Sequence, residues 1–250
     1  MSENRRKVAL ITGAGRGIGK ATALVLASKG FDIAVHDIDG TTAAETASLI
    51  RQSGVDAESF AADVSNRDAM GAVVSAVEAR FGAIDALVNN AGIASDRCPL
   101  EQVTEAMFQR SIGVHVAGTL WTTQAAIIGM KQRNAGSIVN LSSIQALVGW
   151  SEGATYNAAK GALIALSKGW AKEFAPWNIR VNVVAPGHTE TEMTVRNDSA
   201  ELRAAKAKTI PLGRYARPEE MGEAIAFLAS DAASFVTGQV LSPNGGFVIT

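Results

Sequence analysis

The chain has 250 residues, of which 47% are hydrophobic and 19% charged, with a formal net charge of −1 and a single cysteine, Cys98. That length and composition suit one α/β domain with a well-buried core, and the near-neutral charge argues against a nucleic-acid or anionic-membrane partner. One cysteine excludes an internal disulfide, MSENRRKVALITG is too short of apolar residues for a signal-peptide core, and no stretch reaches the ~20 apolar residues of a membrane span, so a cytoplasmic location is expected.

In chain order, Lys7 to Thr12 (KVALIT) is a short apolar run without helical period and reads as a strand. Glycines follow, and Gly17 to Lys29 reads as an amphipathic helix closed by Gly30. Phe31 to Asp37 is a second strand, Thr41 to Ser53 a helix, Ala57 to Asp63 a third strand and Asn66 to Phe81 a helix. Ile84 to Asn89 is a fourth strand, and a long helical region runs from about Thr104 to Arg133. Ser137 to Leu141 is a fifth strand, a helix runs from after Gly153 to Phe174, and Ile179 to Ala185 is a sixth strand. After Pro186-Gly187 comes a polar, weakly patterned segment to about Pro211, then a helix at Pro218 to Ala229 and a last strand at Gln239 to Ser242. Strands that alternate with helices and are apolar on both faces predict a Rossmann-type, doubly wound parallel sheet covered by helices on each side, a single domain over 1–250. Ligands of such sheets bind at the carboxyl ends of the strands.

Thr12 to Gly19 reads TGAGRGIG between the first strand and the first helix. Glycines there permit a tight turn and close approach of a pyrophosphate to the free N–H groups of a helix start, though Ile18 stands where the last glycine of the usual dinucleotide fingerprint would fall. A helix-start turn with spare glycines is the plainer reading. Asp37, at the end of the second strand, would accept from ribose hydroxyls and would repel a 2′-phosphate, favouring NAD; Arg16, inside the turn, points toward NADP.

Ser143 to Lys160 reads SIQALVGWSEGATYNAAK and puts Tyr156 and Lys160 one helical turn apart on one face. A tyrosine hydroxyl titrates near ~10, and a fixed positive charge favours its phenolate. Tyr156 could then exchange a proton with an alcohol or ketone whose oxygen Ser143 also holds. A Tyr and a Lys four apart also occur on ordinary surface helices.

Together, TGAGRGIG, Asp63-Val64, NNAG at Asn89 to Gly92, Ser143, Tyr156-x-x-x-Lys160, Pro186-Gly187 and Thr191 resemble, in order, the motifs of the short-chain dehydrogenase/reductase superfamily over nearly the whole chain. The resemblance implies a seven-stranded sheet in the order 3-2-1-4-5-6-7 and no metal. It implies a dinucleotide held by Thr12, Gly13, Arg16, Gly17, Ile18 and Gly19, with Asp37, Asp63 and Val64 at the adenosine end. Asn90, Ala91, Gly92, Tyr156, Lys160, Pro186, Gly187, Thr189 and Thr191 would complete the site toward the nicotinamide. Ser143 would hold the substrate oxygen and Tyr156 act as general acid/base, while Lys160 would bind the nicotinamide ribose and lower the tyrosine's pKa. Ser142 would be structural.

One departure matters: His115, in VHVAG, occupies the place of an asparagine that in the family helps hold a water linking the lysine to solvent. An imidazole could shuttle protons itself, or be too bulky for the water site and turn away. Asn244 stands where relatives often carry aspartate, without an assigned consequence.

Gln145, Trp150, His188 and Met193, with Glu152 and Glu190, are the expected substrate-side residues, and residues 188–211 the expected lid. The expected activity is NAD(H)-dependent interconversion of a small secondary alcohol, of polyol, sugar or hydroxy-acid type, and its ketone. The alternative is an NADPH-dependent 3-oxoacyl-(acyl carrier protein) or carbonyl reductase. Against the carrier-protein reading, Arg133 fits one basic position for meeting an acidic carrier, but Trp177 stands where another arginine is expected. A non-catalytic nucleotide-binding protein is a third class, motivated by His115. The resemblance also implies a homodimer, usually within a homotetramer, through the Ala/Gly-rich tyrosine-lysine helix and the long helix before it.

Overall fold

The computed structural model describes residues 5–94 and 96–249, without the side chains of residues 196 and 197. Strands β1 (Val8–Thr12), β2 (Asp32–Asp37), β3 (Ala57–Ala61), β4 (Ala86–Asn89), β5 (Gly136–Leu141), β6 (Ile179–Val184) and β7 (Val240–Leu241) form one parallel sheet in the order β3-β2-β1-β4-β5-β6-β7. Alternation along β1 explains its unbroken apolar run. Ala9 and Ile11 face a core built with Leu26, Ile33, Ile50 and Ile225, whereas Val8 and Leu10 face one built with Met70, Val77, Met130 and Phe174.

Helices α1 (Gly17–Ser28), α2 (Gly40–Arg51) and α10 (Pro218–Ala229) cover the first face. Helices α3 (Arg67–Phe81), α5 (Gly118–Arg133) and α7 (Ala154–Phe174) cover the second. Asp39 caps α2 and Asn66 caps α3 through side-chain oxygens that accept N–H bonds of the first turn. No described helix is long and apolar enough to cross a membrane.

The structure departs from the expected elements in three places. The helical region from Thr104 is divided: α4 (Glu105–Ile112) passes through a π-helical turn, Gly113–Ala117, before α5, and His115 sits in the middle of that turn. Single-turn π-bulges of this kind are often found at functional sites, where the extra residue re-aims side chains. Gly118, just after the turn, lies so near Val64 that a Cβ would meet its Cγ2 at 2.8 Å, which brings the helix close onto the β3–α3 connection. The segment after Pro186-Gly187 carries two short helices, α8 (Glu192–Asn197) and α9 (Ala200–Ala207), started by the Thr191 and Ser199 hydroxyls. Strands β3 and β7 are shorter than their apolar runs, leaving Asp63 and Val64 in a turn beyond β3.

Candidate active site

The carboxyl ends of β1, β2, β4, β5 and β6 open into one cleft of about 1030 Å³, which runs from Ile38 and Asp63 at one end to Trp150 and Lys206 at the other. Its glycine turn is held by close backbone approaches. Gly13, at φ +66°, lies where a Cβ would meet the Ala91 Cα at 2.8 Å, and a Cβ on Gly19 would run into the Gly13 carbonyl. Gly19 therefore provides the close packing that Ile18 cannot. Asn90 staples this turn to β4, its amide donating to the carbonyls of Thr12 (2.8 Å) and Gly13 (2.9 Å).

Thr12 lies outside the cleft lining. Its buried hydroxyl lies behind the turn and accepts from the amides of Asn90 and Ala91, each at 3.1 Å, and so shapes the cradle. Helix α1 starts with no side-chain cap from Arg16 and no acid in its first turn, so its leading N–H groups remain available to an anion beside the cleft. That donor set, in a turn with no room for side chains, fits a dinucleotide pyrophosphate.

Asp37 is buried, with one carboxylate oxygen accepting from the Gly15 amide (2.9 Å) and the other from the Asp39 amide (3.1 Å). Each oxygen keeps a second lone pair, which suits a ribose diol. Ile38, 66% exposed, follows it on the cleft wall, and Arg16 lines the rim of the turn. His36, unforeseen in the sequence, also lines this end; burial, working against the Asp37 carboxylate, pulls its imidazole down to about 4. Asp63 faces solvent and accepts from the Ser65 amide and hydroxyl, while Val64 is buried.

Ser143, Tyr156 and Lys160 meet at the end of β5. The Ser143 hydroxyl accepts from the Gln145 amide at 3.2 Å and lines the cleft together with the Tyr156 phenol. Lys160 is buried, donating from Nζ to the Leu141 carbonyl at 2.8 Å, while the Ser142 hydroxyl donates to the Lys160 carbonyl at 2.8 Å. These two bonds fix α7 against β5, and the second gives Ser142 its structural place. Below them, the Asn89 amide donates to Asn140 (2.8 Å) and Thr123 (3.0 Å), and the Asn140 amide to Ser167 (2.8 Å), joining β4, β5, α5 and α7 in a buried polar string.

The electrostatics differ from the expected lowering of the tyrosine pKa. Burial pushes Tyr156 up to about 12, only partly opposed by the neighbouring Ser143 hydroxyl, and pulls Lys160 down to about 7. The ammonium lies 5.5 Å from the phenol ring centroid and is directed to the Leu141 carbonyl, so desolvation outweighs its influence on the hydroxyl.

His115 is buried with its ring edge-on to Tyr156, centroids 5.3 Å apart and planes at 89°. Its Nε2 lies 3.2 Å from the Ile93 carbonyl oxygen and 3.4 Å from the Ile93 amide, so one tautomer donates to the first and the other accepts from the second. Nδ1 has no partner among the described residues, and a Cβ on Gly92 would meet the ring's Cε1 at 2.7 Å. Burial, then the Lys160 charge, lowers the imidazole to about 2 against the Ile93 carbonyl. The ring has thus packed beside the tyrosine and tied itself to the loop after β4, with no hydrogen bond to Lys160 among the described residues.

Gln145, Trp150, His188 and Met193 all line the far end of the cleft, as do Ile18, Ala91, Gly92, Pro186, Gly187, Thr189 and Thr191 along its length. Glu152 and Glu190 are exposed and outside the lining. His188 packs between Trp150 (5.5 Å between centroids) and Tyr215 (5.1 Å), with Phe247 edge-on at 5.2 Å, forming an aromatic wall. Four charged residues here were not foreseen: Arg97, Glu192, Asp198 and Lys206. They come from a loop and from both sides of the α8–α9 break, so no sequence period connects them.

The family described as enoyl-(acyl carrier protein) reductase matches residues 13–248. The chain is 41% identical over 241 residues to cis-4-hydroxycyclohexanecarboxylate dehydrogenase of Sinomonas cyclohexanicum, covering 96% of each chain. It is 43% identical over 247 residues to the 3-oxoacyl-[acyl-carrier-protein] reductase FabG of Thermotoga maritima, covering 97% of this chain and 98% of that one. Among solved structures, 3-ketoacyl-(acyl-carrier-protein) reductase from Brucella melitensis complexed with NADH superposes with a TM-score of 0.92 at 36% identity, over 98% of this chain and 99% of that one. Levodione reductase superposes with a TM-score of 0.93 at 29% identity, over 97% and 98%.

Proposed function

The chain belongs to the short-chain dehydrogenase/reductase superfamily, NAD(P)-binding oxidoreductases of CH–OH groups, and we propose that it uses NAD(H) to interconvert a small cyclic secondary alcohol and its ketone. The observation that carries this reading is that Ser143, Tyr156 and Lys160 line the same cleft as the glycine turn and Asp37. Bound NAD supplies the hydride acceptor or donor. The N–H groups of the glycine turn and of the start of α1 bind its pyrophosphate, Asp37 its adenosine ribose, and the Pro186 to Thr191 segment its nicotinamide end.

Ser143 and Tyr156 converge on one substrate oxygen. Ser143 orients that oxygen, and Tyr156 Oη gives it a proton during ketone reduction and takes one during alcohol oxidation. A phenol held near 12 keeps its proton at neutral pH, which suits the donor role, and Lys160 at about 7 sits where it can gain or lose a proton readily. His115 acts as a neutral buttress: its ring supports Tyr156 edge-on and holds the Ile93 backbone, in place of the asparagine's water site. Residues 188–211, carrying α8 and α9, form the lid of a single catalytic domain, and the chain assembles as a homodimer or homotetramer.

Asp37 followed by exposed Ile38 favours NAD; Arg16 is the one contrary residue. The Brucella melitensis reductase was solved with NADH, so cofactor preference alone does not separate an alcohol dehydrogenase from a ketoacyl reductase. The ring hydroxy acid in the name of the Sinomonas relative and the aromatic wall of the cleft both favour a cyclic substrate. The second reading, 3-oxoacyl-(acyl carrier protein) reduction, rests on the Thermotoga relative. Of the two basic groups expected to meet an acidic carrier, Arg133 is present, its guanidinium donating to the Ile84 carbonyl at 2.7 Å, and the second place holds Trp177, which lies under the Lys131 ammonium at 4.0 Å.

Parallel assays decide between the readings, one with NAD⁺ and cyclic secondary alcohols, the other with NADPH and 3-oxoacyl thioesters. Faster turnover in the first is expected. Turnover confined to the thioesters would replace this reading by the second, and a clear preference for NADPH would overturn the cofactor assignment.

A further inference from the structure

We propose that the far end of the cleft is an anion site, in which Lys206 and Arg97 take the carboxylate of a cyclic hydroxy or keto acid whose ring lies against Trp150. This narrows the substrate class and rests on the dehydrogenase reading above. Lys206, on α9, lines the cleft and donates from Nζ to both carboxylate oxygens of Asp198, at 2.8 and 2.7 Å. The pair is largely withdrawn from water, with the Asp198 side chain 10% exposed and that of Lys206 21%. An ammonium has three donors, so one remains after Asp198 is satisfied. The same ammonium stands 5.8 Å above the Trp150 ring, which ties its charge to the aromatic wall.

Arg97, in the loop after β4, lines the same cleft. The Cys98 amide beside it donates to the Glu152 carbonyl at 3.2 Å, two residues from Trp150. Arg97 is exposed, lines the cleft and forms no ion pair with a described residue; neighbouring Asp96 is already engaged by Arg110 at 2.6 and 2.8 Å. The acids at this end are Asp198, bound to Lys206, and Glu192 at the exposed start of α8. Burial, together with the Lys206 charge, holds the His188 imidazole below its ordinary range. A planar carboxylate matches both groups: Arg97 can take it with two parallel N–H bonds and Lys206 with its remaining donor, while the indole face supports an apolar ring.

The test uses the full-length enzyme with NADH and two ketones of one shape, 4-oxocyclohexanecarboxylate and its uncharged carboxamide. The read quantity is the ratio of kcat/KM for acid over amide. Wild type is expected to favour the acid roughly tenfold or more, and Lys206→Gln and Arg97→Gln each to reduce that ratio severalfold, with Lys206→Arg restoring much of it. Asp198→Asn separates substrate binding from a purely structural ion pair, because it frees Lys206 and should raise the ratio. If Lys206 were only a strut of α9, Lys206→Gln and Asp198→Asn would act alike, and that outcome overturns the proposal. NADH titration of each variant identifies one that has failed to fold, and Arg97→Gln, at an exposed position, carries the test if the α9 variants do not fold. Reduction of the amide in preference to the acid overturns the anion site and leaves the dehydrogenase reading standing. Turnover of neither, nor of other cyclic ketones, overturns both.

Discussion

Replacing His115 with asparagine should flatten the acid side of the stability profile by an amount that the burial of the ring determines. In the folded chain the imidazole is held at about 2, and in the unfolded chain it returns to its ordinary value of 6.5. Because the folded value is the lower one, the unfolded state binds the extra proton, and stability is lost as pH falls through the unfolded pKa. Between pH 7 and pH 5 one such histidine removes about 2 kcal/mol. His36, held at about 4, removes nearly as much over the same interval, so the two together take about 4 kcal/mol from a fold of ordinarily 5 to 15. Urea unfolding of wild type and His115→Asn at both pH values and fixed protein concentration isolates the His115 share, since the other groups titrate alike in both. The variant is expected to lose about 2 kcal/mol less than wild type. Equal losses would mean that the ring is already solvated or protonated in the folded enzyme, and the buttress role would fall with it. If His115 is neutral throughout, the variant also keeps whatever limb near pH 7 the rate profile has, because Lys160, at about 7, is the group that titrates there.

The contact between Gly92 and the same ring gives a second test. A Cβ on Gly92 would stand 2.7 Å from His115 Cε1, so Gly92→Ala should cost ~1–3 kcal/mol, and adding His115→Ala should recover ~1 kcal/mol or more of coupling by thermal or urea unfolding; strict additivity would refute the contact. Asp37→Asn removes the charge facing a 2′-phosphate, and fluorescence titration should find the NADH-over-NADPH preference reduced roughly tenfold; an unchanged ratio would move the specificity to Arg16. On α7, Ala158 and Ala165 are exposed and Gly161 and Gly169 have open space beyond them, so light scattering should give two or four times the 26.0 kDa chain mass, and a monomer would contradict the assembly.

The strand runs announced the sheet because each is apolar on both faces, as Val8 to Ile11 shows by feeding two separate cores. The glycine turn, Asp37 and Ser143 follow strand ends and Tyr156 and Lys160 lie in the first two turns of α7, which is why the sequence could put them in one cleft, as the lining has them. What the sequence concealed depends on shape at short range or on tertiary meeting. A π-helical turn adds one residue to an otherwise helical pattern, too little to disturb the apolar period around His115. Thr12 carries the right motif letter, but its hydroxyl is turned behind the cradle to the amides of Asn90 and Ala91. The Tyr156 pKa could be predicted only in sign from the neighbouring lysine, and burial reverses that sign. Asp198 and Lys206 are eight positions apart across a helix break, and nothing in their spacing foretells an ion pair beside Trp150.

The central claim, that the Tyr156 hydroxyl transfers the substrate proton inside an NAD site built from the glycine turn and Asp37, is tested most directly by Tyr156→Phe. The substitution removes one oxygen and keeps the ring that His115 packs against. Turnover of a cyclic secondary alcohol with NAD⁺ should fall at least ~10²-fold, while NADH binding by fluorescence titration stays within about threefold of wild type. Retained turnover in a variant that binds NADH normally would contradict the account.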